Sequence, residues 1–197
     1  MPANYDRLAP KYDRAIRPLE RWFLQDLRKD AIAALPDKAR ILEIGAGTGA
    51  NFRWYERQRC VAAIEPSWEM LRIATTKQST TTEITLLQSC AEQLPFNDGS
   101  FDGALATLVL CSVESQEQVF MELKRVVRRG GTVSLLEHVR PAGVLGPFFD
   151  LINLITVPLI NDHVNRRTAD NARQAGLTIK SVRKVGAGVF NLITCEV

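Results

Sequence analysis

The sequence predicts an α/β fold built on a mainly parallel sheet, and three features carry that expectation. From Arg40 onward, short apolar runs alternate with helical patterns, as parallel βαβ units require. The apolar run Arg40-Ile41-Leu42-Glu43-Ile44 enters a glycine turn, Gly45-Ala46-Gly47-Thr48-Gly49. Near the end, Gly186-Ala187-Gly188 joins two apolar runs across a connection too short for a crossover helix, so those two strands must pair antiparallel. A chain of 197 residues with 46% hydrophobic content suits one domain, residues 1–197, with a full core.

Taken in order, the stretch Asn4 to Asp13 precedes a helix whose apolar positions Leu19, Trp22, Phe23, Leu27, Ile32 and Leu35 recur at helical spacing. Arg14, Arg17, Arg21, Arg28 and Lys29 intersperse with them. Residues 1–36 then read either as lid helices packed on the core with their charges solvated, or as a basic amphipathic segment that also touches anionic membrane. Strands are expected at Arg40–Ile44, Val61–Glu65, Ile84–Leu87, Gly103–Thr107, Thr132–Glu137, Thr178–Val185 and Val189–Glu196. Helices are expected around Asn51–Glu56, Ser67–Thr75, Gln116–Arg128 and Thr168–Ala175, with Asn51 capping the first. Arg125, Arg128 and their neighbours Lys124 and Arg129 read as a helix end before Gly130, which the helix dipole favours.

Gly45, Gly47 and Gly49 keep Cβ atoms out of the way, so a ligand can lie directly against backbone N–H groups at a helix start. Alone this is ambiguous, because Gly45 to Ala50 also satisfies the loose dinucleotide pattern with alanine last. Two carboxylates sharpen it. Glu65 ends the next apolar run, about 20 residues on, where a ribose-binding carboxylate belongs. Glu43 closes the first strand, where it would repel a pyrophosphate and welcome a cationic amino-acid moiety. The pair points to S-adenosylmethionine rather than NAD, and the chain shows no recognisable Tyr-Lys pair of an oxidoreductase.

Here the chain resembles the class I S-adenosylmethionine-dependent methyltransferases. Their motifs appear in order over about residues 38 to 140. They are Leu42 to Gly49, then Ile64-Glu65-Pro66-Ser67 with Met70, then Ala91-Glu92-Gln93-Leu94-Pro95-Phe96, then Ser100-Phe101-Asp102, Thr107 to Val113 and Leu123 to Gly131. The resemblance implies a Rossmann-like seven-stranded sheet of order 3-2-1-4-5-7-6, strand 7 antiparallel, with helices on both faces. It implies that Ala91 and Glu92 meet the adenine, that Met70 and Leu94 wall it, and that Tyr12 closes over the methionine end. Ligands in such sheets sit beyond the carboxyl ends of the strands, which gathers Gly45, Ala46, Gly47, Gly49, Glu65, Pro66 and Thr107. Asn51 reads as a helix cap or as a contact to the cofactor carboxylate.

For the acceptor, His138 stands at the end of the strand Val133-Ser134-Leu135-Leu136, beside the expected methyl. His163, Asn165 and Arg166 form a polar patch that would hold an acceptor head group, or else cap a helix start. Val144 to Ile160, with Phe148 and Phe149, is strongly apolar but broken by Pro147 and Pro158, too short and interrupted for a membrane span. It reads as a lid over a lipophilic acceptor, within an acceptor-site insert at 141–167, or as a buried core helix. Thr107 to Val113, Glu137-His138-Val139 and the Asn165-Arg166 segment resemble the small alkyl thiol methyltransferases of animal membranes and their bacterial relatives. Phospholipid N-methyltransferases and quinone C-methyltransferases are looser matches. The expected acceptor is therefore a thiol, a phospholipid amine or a quinol, and the animal enzymes' long N-terminal anchor is expected to be lacking. Cys60, Cys90, Cys111 and Cys195 form no zinc or disulfide pattern, so a reduced, cytoplasmic protein without a metal is expected, with peripheral contact to a membrane as the alternative placement. A net charge of +3 without a clustered basic footprint gives no reason to expect a nucleic-acid partner.

Overall fold

The computed structural model describes residues 2–55, 59–78, 82–138, 168–186 and 188–197. The expected insert at 141–167, with Phe148, Phe149, His163, Asn165 and Arg166, lies outside them. The strands are β1 Arg40–Ile44, β2 Cys60–Ile64, β3 Glu83–Leu87, β4 Phe101–Thr107, β5 Val127–His138, β6 Thr178–Val185 and β7 Phe190–Glu196. They form one sheet of order β3-β2-β1-β4-β5-β7-β6. The first five run parallel, and β7 is inserted antiparallel between β5 and β6, with Leu135 opposite Ile193.

The two faces of the sheet are separated by strand alternation, since successive side chains point to opposite sides. Leu42 and Ile44 of β1, Ala104 and Ala106 of β4, and Val133 and Leu135 of β5 pack with α4 Gln116–Val126 through Val119, Phe120 and Leu123. Ile41, Val61, Ala63, Leu105 and Leu136 face the other way, against Leu27, Ala31, Ile32 and Leu35 of α2 Gln25–Ala33 and the tail that follows it. Glu43 and Thr107 fall on this second side by the same period of two, and that decides their partners. Helix α3 is Trp68–Thr75, capped by the Ser67 hydroxyl, which accepts from the Met70 N–H at 3.2 Å. Helix α5 is Thr168–Gln174.

Three expectations are corrected. The segment Asn4 to Asp13 does not precede the first helix but lies inside it, because α1 runs Pro2–Leu19 with Pro10 and Pro18 in its body. Side-chain bonds from Asp6 and Asp13 to the body of the protein tie down a helix that two missing backbone donors would otherwise weaken. It passes into α2 through a π-helical turn, Glu20–Leu24. The helix expected at Asn51 is a short 3₁₀ turn, Phe52–Trp54, and Asn51 makes no cap; its side chain is drawn inward by buried partners instead. Strand β5 starts five residues earlier than expected, at Val127, because α4 already ends at Val126 and Val127 pairs with Phe101.

Among the described residues no helix is long and apolar enough to cross a membrane. Also among them, no cluster of three or more His, Cys, Asp or Glu side chains could hold a metal.

Candidate active site

At the carboxyl ends of β1, β2 and β4 lies a cavity of about 350 Å³. The glycine turn forms its floor. Gly45, at φ +65°, has no room for a side chain, because a Cβ would come within 2.1 Å of Val109 Cγ2. Gly47, at φ +54°, is different: a Cβ there would meet nothing within 4 Å, so the space above it is open to a ligand. The Ala46 N–H is used by the Ile64 carbonyl at 2.9 Å, which ties the turn to the end of β2.

Glu65 stands at the centre of the wall, 7% exposed. Its Oε2 accepts from the Gly47 N–H and its Oε1 from the Ser67 N–H, each at 3.0 Å. Burial pushes this carboxyl up, and the two amides pull against that by stabilising the ionised form. Each oxygen retains a further lone pair, so the carboxylate is fixed in place and can still accept two hydroxyls.

Tyr12, Ala46, Pro66, Met70, Ala91, Glu92 and Thr107 line the same cavity with the two glycines and Glu65. The loop after Glu92 is held from outside: the Glu122 carboxylate accepts from the Leu94 N–H at 2.7 Å, and the Arg125 guanidinium donates to the carbonyls of Leu94 and Phe96. Arg125 therefore holds the loop that follows Glu92 and is not only part of a helix end. Its salt bridges run to Glu122 and Asp98.

Three residues assigned to the cofactor stand elsewhere. Glu43 is fully buried and does not line the cavity. Its oxygens accept from Asn51 Nδ2 at 2.8 Å and from the Tyr55 hydroxyl at 2.9 Å. Burial pushes its pKa up to about 7, against those two hydrogen bonds and the nearby Arg28 charge. Asn51 is equally enclosed, accepting from Arg28 at 3.0 Å and donating to the Thr107 hydroxyl at 2.9 Å. Gly49 lines a neighbouring cavity, and a Cβ there would press on the Phe52 ring at 2.8 Å. His138 ends β5 opposite Phe190, half-buried, and is not among the described lining residues.

The residue that sequence reasoning missed is Arg28. It is 5% exposed and lines the cavity, with its guanidinium donating to Glu20 at 3.1 Å, Asn51 at 3.0 Å and Thr107 at 2.8 Å. A signal existed: Arg28 occupies the buried stripe Leu24, Leu27, Arg28, Ala31, Ile32 and Leu35, where a cation must have partners. Helix α1 supplies the roof. Tyr5 and Tyr12 both line the cavity, and the Tyr5 hydroxyl meets that of Ser112 at 2.5 Å. Leu108, at φ +57°, turns the chain after β4 and donates its N–H to the Leu136 carbonyl. The Val109 and Leu110 N–H groups both go to Glu137 Oε1, at 3.1 and 3.0 Å.

The residues present fit an adenosyl ligand with an amino-acid tail. They provide a carboxylate for vicinal hydroxyls, an open glycine floor, apolar walls at Met70 and Ala91, and a cation at the far end.

Residues 42–135 match the family described as methyltransferase domain. The phosphatidylethanolamine N-methyltransferase of Cereibacter sphaeroides is 30% identical over 64% of this chain and 68% of its own length. The human thiol S-methyltransferase TMT1B is 30% identical over 67% of this chain, and a Renibacterium salmoninarum demethylmenaquinone methyltransferase is 31% identical over 74%. The matches span 55% and 61% of those two proteins' lengths. A solved structure of a SAM-dependent methyltransferase from Thermotoga maritima superposes with a TM-score of 0.78 over 100% of this chain and 99% of that one, at 24% identity.

Proposed function

The chain belongs to the S-adenosylmethionine-dependent methyltransferases, and we propose that it transfers the methyl group to a small lipophilic acceptor. S-adenosylmethionine is its cofactor and S-adenosylhomocysteine the product. The observation that carries the acceptor class is the character of the cavity beyond the glycine turn. Leu108, Val109 and Val113 line it with the two tyrosines, while Glu65 and Arg28 stand where the cofactor's ribose and amino-acid end would take them up. An apolar acceptor loses nothing against those aliphatic and aromatic walls. The acceptors in the relatives' names, a thiol, a demethylmenaquinone and a phosphatidylethanolamine, lend support, since two of them are lipids.

When bound, the cofactor supplies a methyl group on a positively charged sulfur. Glu65 is the acceptor for the ribose hydroxyls, Gly45, Ala46 and Gly47 give the close backbone approach, and Ala91 and Glu92 flank the adenine with Met70 and Pro66. Arg28 and Tyr12 are the groups for the amino-acid end, with Glu43, Gly49 and Asn51 positioning them from behind. Thr107 holds Arg28 and Leu108 forms the wall facing the reacting centre. Rate then comes from holding nucleophile and methyl in line and keeping water out under the α1 roof. A base is needed only for an acceptor that arrives protonated, and His138 and His163 are the candidates. Phe148, Phe149, Asn165 and Arg166, within the 141–167 insert of this single domain, are the proposed acceptor contacts.

The test is turnover with labelled S-adenosylmethionine and thiols, quinols and phospholipids of graded chain length. Each buried CH₂ contributes about 0.8 kcal/mol, so kcat/KM should rise about four-fold per methylene until the cavity is full. A flat response would sink the lipophilic acceptor, and no turnover with any of them would leave a binding module.

A further inference from the structure

The acids of the N-terminal helix are turned to the protein, and most of its bases are turned to solvent. Asp6, Asp13 and Glu20 recur every seven residues, two helical turns apart, and all three are half-buried against the protein. Asp6 Oδ1 accepts from the Ser67 hydroxyl and the Glu69 N–H, Asp13 from Thr48 and Lys77, and Glu20 from Arg28. Arg7, Arg14 and Arg21 recur with the same spacing one residue later, and they are exposed, as is Lys11; Arg17 is exposed as well but lines the smaller cavity beside Asp13 and Glu20. Between Arg7 and Gln25 every exposed charge is a cation.

The same outward side carries apolar groups that nothing in the described structure covers. Trp22 is 76% exposed, Phe23 54%, Leu19 39% and Leu8 38%. The aromatic pair sits in the π-helical turn Glu20–Leu24, where Leu24 is fully buried and Arg21, Trp22 and Phe23 are turned to solvent. Wider turns of this kind inside helices are frequent at functional sites. Solvation alone accounts for the arginines but not for two adjacent large aromatics among them. An indole and a phenyl ring prefer the boundary between lipid headgroups and acyl chains, while arginines beside them meet phosphates.

We propose that this outward face of α1 and the π-turn docks the protein on an anionic lipid surface, with Trp22 and Phe23 entering the interface. Tyr5 and Tyr12 remain turned to the cavity, and Asp13 stays bonded to Thr48. Docking therefore requires no rearrangement of the site.

The experiment is flotation of the full chain with phosphatidylglycerol vesicles and with phosphatidylcholine vesicles, at low and high salt. We expect binding to the first only, weakened by salt. A polybasic face gains about five-fold in partition per basic residue, so Arg14→Glu with Arg21→Glu should lower it by at least about 25-fold. Trp22→Ser with Phe23→Ser should abolish flotation at moderate salt. Both double variants should bind S-adenosylhomocysteine like the parent protein and melt at nearly the same temperature, since exposed substitutions of this kind leave stability within about 0.5 kcal/mol. Absence of flotation with phosphatidylglycerol at low salt, or equal flotation of the variants, overturns the proposal. So does a strongly lowered melting temperature of Trp22→Ser/Phe23→Ser, which would mean that another part of the chain covers the pair. A dimer in solution that these substitutions dissociate would assign the face to a second copy and overturn it equally.

Discussion

Glu43 sits at the end of β1 with no exposed surface, although its sequence position beside the glycine turn suggested a contact with the ligand. Strand alternation turns it toward α2, where Asn51, Tyr55 and Arg28 surround it. Its carboxyl is pushed up to about 7 by burial, while in the unfolded chain a glutamate titrates near about 4.3. Between those values the native state binds more protons than the unfolded state, so this contribution to stability is fully present below about pH 4.3 and is lost as pH rises through about 7. The size is about 3–4 kcal/mol, and Glu65, also pushed up by burial, adds with the same sign. Denaturant unfolding between about pH 5 and pH 8 should show stability falling toward the alkaline end, and Glu43→Gln should flatten the curve. The glutamine can still accept from Asn51 and donate to the Tyr55 hydroxyl, so the fold survives the change. An unaltered pH slope in the variant would remove Glu43 as its source.

Helix α1 shows how an element can be legible in part. Its seven-residue recurrence, Tyr5-Asp6-Arg7 against Tyr12-Asp13-Arg14, is visible in the sequence, yet which side meets the protein is decided by partners far along the chain. Ser67, Thr48 and Lys77 receive the acids, and no periodicity could reveal that. Asp13 holds two of those partners at once, so Asp13→Ala should loosen the roof without disturbing the sheet. Hydrogen bonds of this kind are worth about 1 kcal/mol each. We expect amide exchange across α1 to quicken by about five- to thirty-fold, with β1 and β4 unchanged. Unchanged exchange in α1 would show that the clasp is not what holds the helix down. Arg28 makes the same point in α2: its place on the buried stripe is readable, but its bonds to Asn51 and Thr107 span 23 and 79 residues.

At the scale of the whole molecule, the cavity couples β1, β2, β4 and α1, so its ligand should stabilise all of them together. S-adenosylhomocysteine at about 100 times its Kd should add about 2.7 kcal/mol to the unfolding free energy. For a chain of this size that raises the melting temperature by roughly 5–10 °C, while NAD at equal concentration should leave it unmoved. A shift with NAD would reopen the dinucleotide reading of the glycine turn. The sheet was readable in advance because its evidence is local: apolar runs of strand length, three glycines, and a connection too short to cross over. Gly45, Gly47 and Glu65 were readable for the same reason, since backbone approach and a strand-end carboxylate are properties of short segments. What only the tertiary structure decided was which buried polar group faces the cavity and which supports from behind. Glu43, Asn51 and Arg28 exchanged their expected places, because a side chain's direction on a strand or helix follows from what lies across from it, and those neighbours are distant in sequence.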